Sequence, residues 1–237
     1  MKFKLIFPGI IAVLLLVSTR SSAQINEFTG WGAWFHTQKF SKHWGGLFDL
    51  QMRSAPGFGY VRNPLIRPAV SYYFNNSKFV SVGYLFTGTK RYNDAESIFR
   101  VEQRIFEQFI INHKLVKYNS LQHRFRLEQR FVNSQGNQDQ FFAQRFRYFA
   151  RGVFPFKKDS IFKKGTFLGL QNEVFLNVQN KENLNGQFFD QNRAYAAVGY
   201  RLNKNVDLET GYLNQYLNQA AGYTFNHVVQ VALYTRF

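Results

Sequence analysis

Leu121-Gln122-His123-Arg124-Phe125-Arg126-Leu127-Glu128-Gln129-Arg130-Phe131 is the stretch whose periodicity decides the fold. Every second residue sorts it into two sets. Leu121, Phe125, Leu127 and Phe131 form one, and Arg124, Arg126, Glu128 and Arg130 form the other. A helix would scatter these charges around its circumference, whereas a strand places them all on one side. The stretch is therefore read as a β-strand with one apolar and one ionised face.

Neighbouring segments repeat the arrangement. Arg100, Glu102 and Arg104 oppose Phe99, Val101 and Ile105; Arg145 and Arg147 oppose Phe142, Phe146 and Tyr148. Gln171, Glu173 and Asn177 oppose Leu168, Leu170, Val174, Leu176 and Val178, and Gln191, Arg193 and Arg201 oppose Ala194, Ala196, Val198 and Leu202. Asp49, Gln51 and Arg53 oppose Phe48, Leu50 and Met52, while Val80, Val82, Tyr84 and Phe86 form a further apolar face. Alternating segments of about ten residues separated by turns are the signature of a transmembrane β-barrel.

Eleven such segments are legible: 28–38, 44–53, 63–74, 79–90, 97–111, 121–133, 140–153, 165–179, 189–202, 206–217 and 226–237. Single-chain bacterial barrels normally have an even number. The expectation is therefore an all-β antiparallel barrel of about 10–12 strands. It would have ten if the first segment is not a barrel strand, or twelve if a long one such as 97–115 hides a turn. The short gaps 75–78 and 203–205 read as periplasmic turns, and the longer gaps 54–63, 91–96, 134–139 and 180–188 as outer loops.

Energy fixes which face points inward. An arginine facing lipid near the bilayer midplane costs roughly 2–4 kcal/mol. The polar faces carry Arg53, Arg67, Arg100, Arg104, Arg124, Arg126, Arg130, Arg145, Arg147, Arg151, Arg193 and Arg201. Half of these turned outward would cost about 12–24 kcal/mol, against a typical domain stability of roughly 5–15 kcal/mol. The arginines are assigned to the lumen and the aliphatic and aromatic faces to lipid, with Tyr and Trp at the interfaces.

The N-terminus supplies the route to such a membrane. Lys2 and Lys4 precede an apolar run from Leu5 to Val17, and Ser21-Ser22-Ala23 offers a small-residue cleavage site before Gln24. Residues 1–23 read as a cleaved signal peptide and 24–237 as the barrel, localised to the bacterial outer membrane. No later apolar run is long enough for a membrane helix. Aromatics make up 19% of the chain while mean hydropathy is only −0.32, as interleaved apolar and polar residues require. With no cysteine, disulfides and thiolate metal sites are excluded. Loss of Lys2, Lys4 and Arg20 with the leader lowers the formal charge from +16 to +13. Such a charge would ordinarily point to nucleic acid, but export and the separation of aromatics from arginines onto opposite faces exclude that partner.

The C-terminal strand alternates to its end. Val229, Val231, Leu233 and Phe237 share one face; Gln230, Tyr234 and Arg236 share the other. A terminal aromatic strand resembles the signal that outer-membrane barrels present to the barrel-assembly machinery, with Val231, Leu233 and Phe237 as its residues.

Several of these elements together resemble a family catalogued as domain of unknown function 2490. They are Arg124-x-Arg126-x-Glu128-x-Arg130, Arg100-Val101-Glu102-Gln103-Arg104, Asn172-Glu173, Gln191-Asn192-Arg193 and the Gly-Tyr pairs at 83–84, 199–200 and 211–212. The resemblance spans essentially the whole mature chain. It implies an outer-membrane barrel and carries no reaction, substrate or cofactor.

The charge ladder admits two roles. Lumen carboxylates at Asp49, Glu102, Glu128, Glu173 and Glu209 can pair with arginines on adjacent strands and hold a narrow barrel together. That structural role is the expected main one. The arginine excess gives the sharper reading, in which the lumen binds or passes small anions. The competing class is an outer-membrane lipid-modifying hydrolase, which needs a Ser–His pair oriented by a third group. Of His36, His43, His113, His123 and His227, only His43 has a serine two residues away, Ser41, and that pair falls in an apparent turn. No two histidines share a strand face at ligand spacing and the carboxylates are interleaved with arginines, so neither a metal nor a cofactor is expected. A soluble lipocalin-type barrel, apolar inside and polar outside, is the remaining alternative.

Overall fold

The computed structural model describes residues 24–93, 96–115, 118–133, 139–157 and 162–237; the leader expected over 1–23 lies outside them. Eleven strands follow one another: β1 (Gln24–Lys39), β2 (Trp44–Ser54), β3 (Val61–Tyr73), β4 (Lys78–Asn93), β5 (Glu96–Lys114), β6 (Ser120–Asn133), β7 (Gln140–Pro155), β8 (Gly165–Gln179), β9 (Phe189–Asn203), β10 (Val206–Gln219) and β11 (Gly222–Arg236). Each pairs with its sequence neighbours, and β1 meets β11 to close the barrel.

The even-number expectation fails. β1 is a full barrel strand and β5 runs unbroken, so neither route to ten or twelve is taken. In an up-and-down sheet with an odd count, the first and last strands must run the same way. The seam is accordingly parallel, in register from Gln24↔Tyr223 to Thr37↔Arg236, while every other pair is antiparallel. The buried hydroxyl of Thr29 donates across this seam to Asn226 Oδ1 at 2.9 Å. One rim therefore holds the start of β1 and the other holds the end of β11. They are called here the N-terminal and C-terminal rims. The connections after β1, β3, β5, β7 and β9 lie at the C-terminal rim; those after β2, β4, β6, β8 and β10 lie at the N-terminal rim.

Alternation sorts the side chains. Along β6 the even positions Arg126, Glu128, Arg130 and Val132 are buried inside, and the odd positions are partly or fully exposed outside. The outer wall carries Ile66, Val70, Val82, Phe125, Leu170, Val198, Val229 and Val231, each more than a third exposed. Aromatic clusters ring it near both rims. Trp44 meets Tyr72 edge-on at 5.2 Å near the C-terminal rim, and Tyr216 stacks with Tyr223 at 5.7 Å near the N-terminal rim. Charged inside and apolar outside, the barrel is of the transmembrane type. Polar residues on the outer wall bond to one another: Gln129 Nε2 donates to Glu107 Oε2 at 3.0 Å, and Asn172 and Asn192 exchange amide bonds at 3.1 and 3.0 Å.

The Gly-Tyr pairs have a packing reason. Their tyrosines face outward, while a Cβ on Gly83 would run into the ring of Phe106, and one on Gly199 into that of Phe167. Both rings are wholly buried, so these glycines make room for interior aromatics. Pro68 interrupts β3: pairing with β4 lapses between Ile66↔Phe86 and Ala69↔Gly83, where proline has no N–H to offer.

Candidate functional site: the charged lumen

The half of the lumen nearer the N-terminal rim is filled by ion pairs centred on Glu128, which is fully buried. Its Oε2 accepts from Arg145 Nη2 at 2.7 Å and Arg104 Nη1 at 3.4 Å, and its Oε1 from Arg147. Each of these guanidiniums has another acid as well. Arg145 reaches Asp190 at 2.8 Å, Arg147 reaches Glu173 at 2.7 Å, and Arg104 reaches Glu102 at 2.7 Å. Arg130 joins Glu102 at 2.6 Å and Arg124 joins Glu173 at 2.7 Å. The β8–β9 connection folds over this end. Asn177 donates to Asn185 Oδ1, and Asn185 donates to the main-chain oxygen of Asn218 at 2.7 Å.

Beyond that plug lies a cavity of about 450 Å³. Its wall runs from Ser120, Val153, Asp207 and Arg236 at the C-terminal rim to Trp31, Arg53, Arg126, Arg193 and Leu213 at mid-depth. None of Glu102, Arg104, Glu128, Arg130, Arg145 or Asp190 lines it. Among the described residues the cavity is thus blind toward the N-terminal rim.

The wall is strongly biased toward positive charge. Arg53, Arg67, Arg124, Arg126, Arg147, Arg151, Arg193, Arg201 and Arg236 line it, against Asp49, Glu173 and Asp207. Some of these cations are neutralised: Arg67 pairs with Asp49 at 3.0 Å, Arg201 pairs with Asp207 at 2.7 Å, and Arg236 also pairs with Asp207. Arg151 reaches across the lumen to Glu209. Arg53 and Arg193 have no carboxylate within pairing distance, and Arg126 has only a distant one. Arg53 bonds only Gln51 at 2.7 Å, Arg193 bonds Gln191 at 3.2 Å, and Arg126 is held by Gln108 at 2.6 Å with Glu128 no closer than 3.8 Å. Four buried guanidinium nitrogens in this wall have no hydrogen-bond partner: Nε of Arg53, Arg67 and Arg124, and Nη1 of Arg126. Unsatisfied buried N–H groups are rare because each forfeits its hydration without recompense.

The aromatic faces named from the alternation point outward, and further rings that it did not assign lie inside the lumen. Interior rings lie against the lumen guanidiniums, those with an acid and those without. Arg53 and Arg193 lie over Trp31 at 4.1 and 5.1 Å, and Arg126 lies over Phe106 at 4.5 Å. Arg145, Arg147 and Arg193 surround Phe175, and Arg124 covers Phe149 at 4.3 Å. Such cation–π contacts contribute roughly 0.5–2 kcal/mol each. The signal was present in the sequence, since Phe106, Phe149 and Phe175 share parity with Arg104, Arg147 and Glu173. Two interior acids, Asp190 and Asp207, were also missed. A register shift beside β8 turns Asp190 inward, next to Gln191, which itself faces the lumen. Arg100, read as a ladder member, lies near the N-terminal rim, where its Nε donates to the main-chain oxygen of Asn133 at 2.7 Å.

His36 lines the C-terminal end of the cavity, its Nδ1 2.8 Å from the Thr235 hydroxyl, and the other histidines lie outside the lumen. His123 Nδ1 is 2.8 Å from the Tyr148 hydroxyl and His227 Nδ1 is 2.6 Å from that of Tyr212. Ser41 caps its turn, its Oγ accepting from the main-chain N–H of His43 and of Trp44, while the His43 ring turns to the Tyr73 carbonyl oxygen at 3.1 Å. That arrangement leaves the serine without a general base. Among the described residues, no three His, Asp or Glu side chains come together as a metal site.

Fold and lumen thus define a closed, inside-out barrel with an arginine-rich interior. The chain belongs to the family described as protein of unknown function (DUF2490), whose profile matches residues 28–226. A solved structure titled "NanC porin structure in rhombohedral crystal form" is similar at a TM-score of 0.46 and 8% identity, over 80% of this chain and 84% of that one. No curated protein matches the chain.

Proposed function

We propose that this chain is an outer-membrane barrel, exported by the leader over residues 1–23, whose lumen binds a small anion. The observation that carries the reading is that Arg53 and Arg193 line one cavity with glutamine oxygens, and no carboxylate, as their partners. An anion seated there would accept charge-assisted hydrogen bonds from both. The Glu128 network supports the structural part of the reading, because opposite charges fill half the lumen and join five strands. It also favours binding over conduction, since the cavity ends at that network. The apolar outer wall and its aromatic belts support membrane insertion, and Val231, Leu233 and Phe237 on the outer face of β11 support recognition by the assembly machinery. Nothing in the Ser41–His43 geometry supports a hydrolase, so the function is read as non-enzymatic.

Trp31 reports on the site because Arg53 stacks on it. Titration of the refolded barrel with inorganic phosphate is expected to change its tryptophan fluorescence saturably. Arg53→Gln and Arg193→Gln are each expected to weaken binding about 10- to 100-fold, the size of one lost charge-assisted bond. Absence of saturable binding, or full affinity in both variants, would remove the anion site. In planar bilayers the blind lumen is expected to give no steady conductance; an open anion-selective channel would replace binding with transport. A second measurement addresses the membrane: the folded protein should need detergent for extraction and migrate differently on gels before and after heating. Release by salt alone would contradict insertion.

A further inference from the structure

Lysines are distributed very unequally between the rims. Every connection at the C-terminal rim carries at least one. Lys39 and Lys42 flank or occupy the first, Lys78 closes the second and Lys114 opens the third. Lys157, Lys163 and Lys164 belong to the fourth, and Lys204 to the fifth. All of these are exposed, and among the described residues none is ion-paired with a carboxylate. Lys39 leans inward, its ammonium 4.5 Å above the ring of Tyr73, which stacks on the cavity-lining Phe79. At the opposite rim the described lysines are Lys90 and Lys181. The lysine-bearing rim is also the one at which the arginine-walled cavity reaches the surface.

A ring of like charge around a low-dielectric opening focuses the field along its axis and concentrates counter-ions there. We infer that the lysine collar steers multivalent anions, of the phosphate-ester or polycarboxylate type, into the lumen from the C-terminal rim alone. The barrel is then loaded and emptied from one side, with the Glu128 plug as its far wall. This rests on the proposed anion site but adds its side of access and its charge selectivity. Steering grows with ligand charge, so the collar ranks ligands by valence before any of them reaches Arg53.

The absence of cysteine makes a test that needs no bound ligand straightforward. Single cysteines are placed at Ser120 in the cavity mouth, at Ala69 deeper in its wall, and at Asn183 on the opposite rim. Each is reacted with an anionic sulfonatoethyl methanethiosulfonate and with its cationic trimethylammonium counterpart. The ratio of the two rates cancels the reactivity of the thiol itself. At low salt Ser120→Cys and Ala69→Cys are expected to favour the anionic reagent about tenfold or more, and Asn183→Cys to show no such preference. Raising salt toward 1 M should collapse the ratio as the Debye length shrinks to about 3 Å. Replacing one lysine per connection (Lys42, Lys78, Lys114, Lys163 and Lys204→Gln) should lower it several-fold at Ser120→Cys. A ratio near one at low salt, or one that the five substitutions leave unchanged in a heat-modifiable barrel, overturns the collar. Should the five-fold variant not fold, the salt titration on the unsubstituted collar decides alone. Phosphate binding with no labelling preference would discard the collar and keep the site; the reverse would discard the site.

Discussion

Glu128→Gln is expected to lower the stability of the folded barrel by about 3 kcal/mol, the lower end of the range for breaking a buried ion pair. The substitution is nearly isosteric, so the loss is electrostatic rather than a packing defect. It leaves Arg104, Arg145 and Arg147 facing a neutral amide in a site with no access to bulk water. The effect stays at the lower end because Glu102, Asp190 and Glu173 each still hold one of the three. Unfolding by urea in lipid vesicles, followed by tryptophan fluorescence, measures it. The double variant Glu128→Gln/Arg147→Gln should recover part of the loss, with a coupling of at least about 1 kcal/mol between directly bonded groups. A shift below about 0.5 kcal/mol in the single variant would mean that the network fills the lumen without holding it together.

The second large effect concerns the outer wall. Val198 is half exposed on the outer face of β9 and paired between Leu168 and Thr210. Val198→Arg is expected to cost about 2–4 kcal/mol in a bilayer, whereas Leu202→Arg, one residue from the strand end, should cost about 0–1 kcal/mol. Depth dependence is the informative feature. In water, an arginine at either position would be solvated and the two costs would agree. Equal and small costs for both variants would therefore contradict membrane insertion.

Much of the fold was legible because a barrel wall separates two solvents. Lipid on one side and a narrow polar lumen on the other force a period of two on every strand, and eleven such segments could be counted from residues alone. The seam could not. Whether β1 counts as a barrel wall depends on its pairing with β11, some two hundred residues away, and no local pattern encodes a parallel closure. The expectation of an even count drew on other barrels rather than on these residues, and it gave way to the pairing from Gln24↔Tyr223 onward.

The ladder was legible as composition but not as geometry. Arg124, Arg126, Glu128 and Arg130 declare a common face, yet nothing in their order says that Glu128 gathers three arginines from two flanking strands. Nor does it say that Arg53 has no acid at all. Those outcomes depend on which side chains meet across the lumen, which strand tilt and register set together. The interior aromatics show the same limit. Parity alone put Phe106 and Phe175 inside, but only the packing of Gly83 and the crowd of guanidiniums explains why apolar rings belong there.

By itself, the sequence determined that this chain folds as strands with charges on one face, because burying a dozen arginines against lipid would exceed any stability a domain can hold. It also determined that the charges face a shared interior. Only the tertiary structure decided that eleven strands close in parallel and that the lumen divides into a sealed half and an open one. It alone decided which guanidiniums are left without an acid. Those are properties of contacts between residues distant in sequence, and such contacts exist only once the barrel has closed.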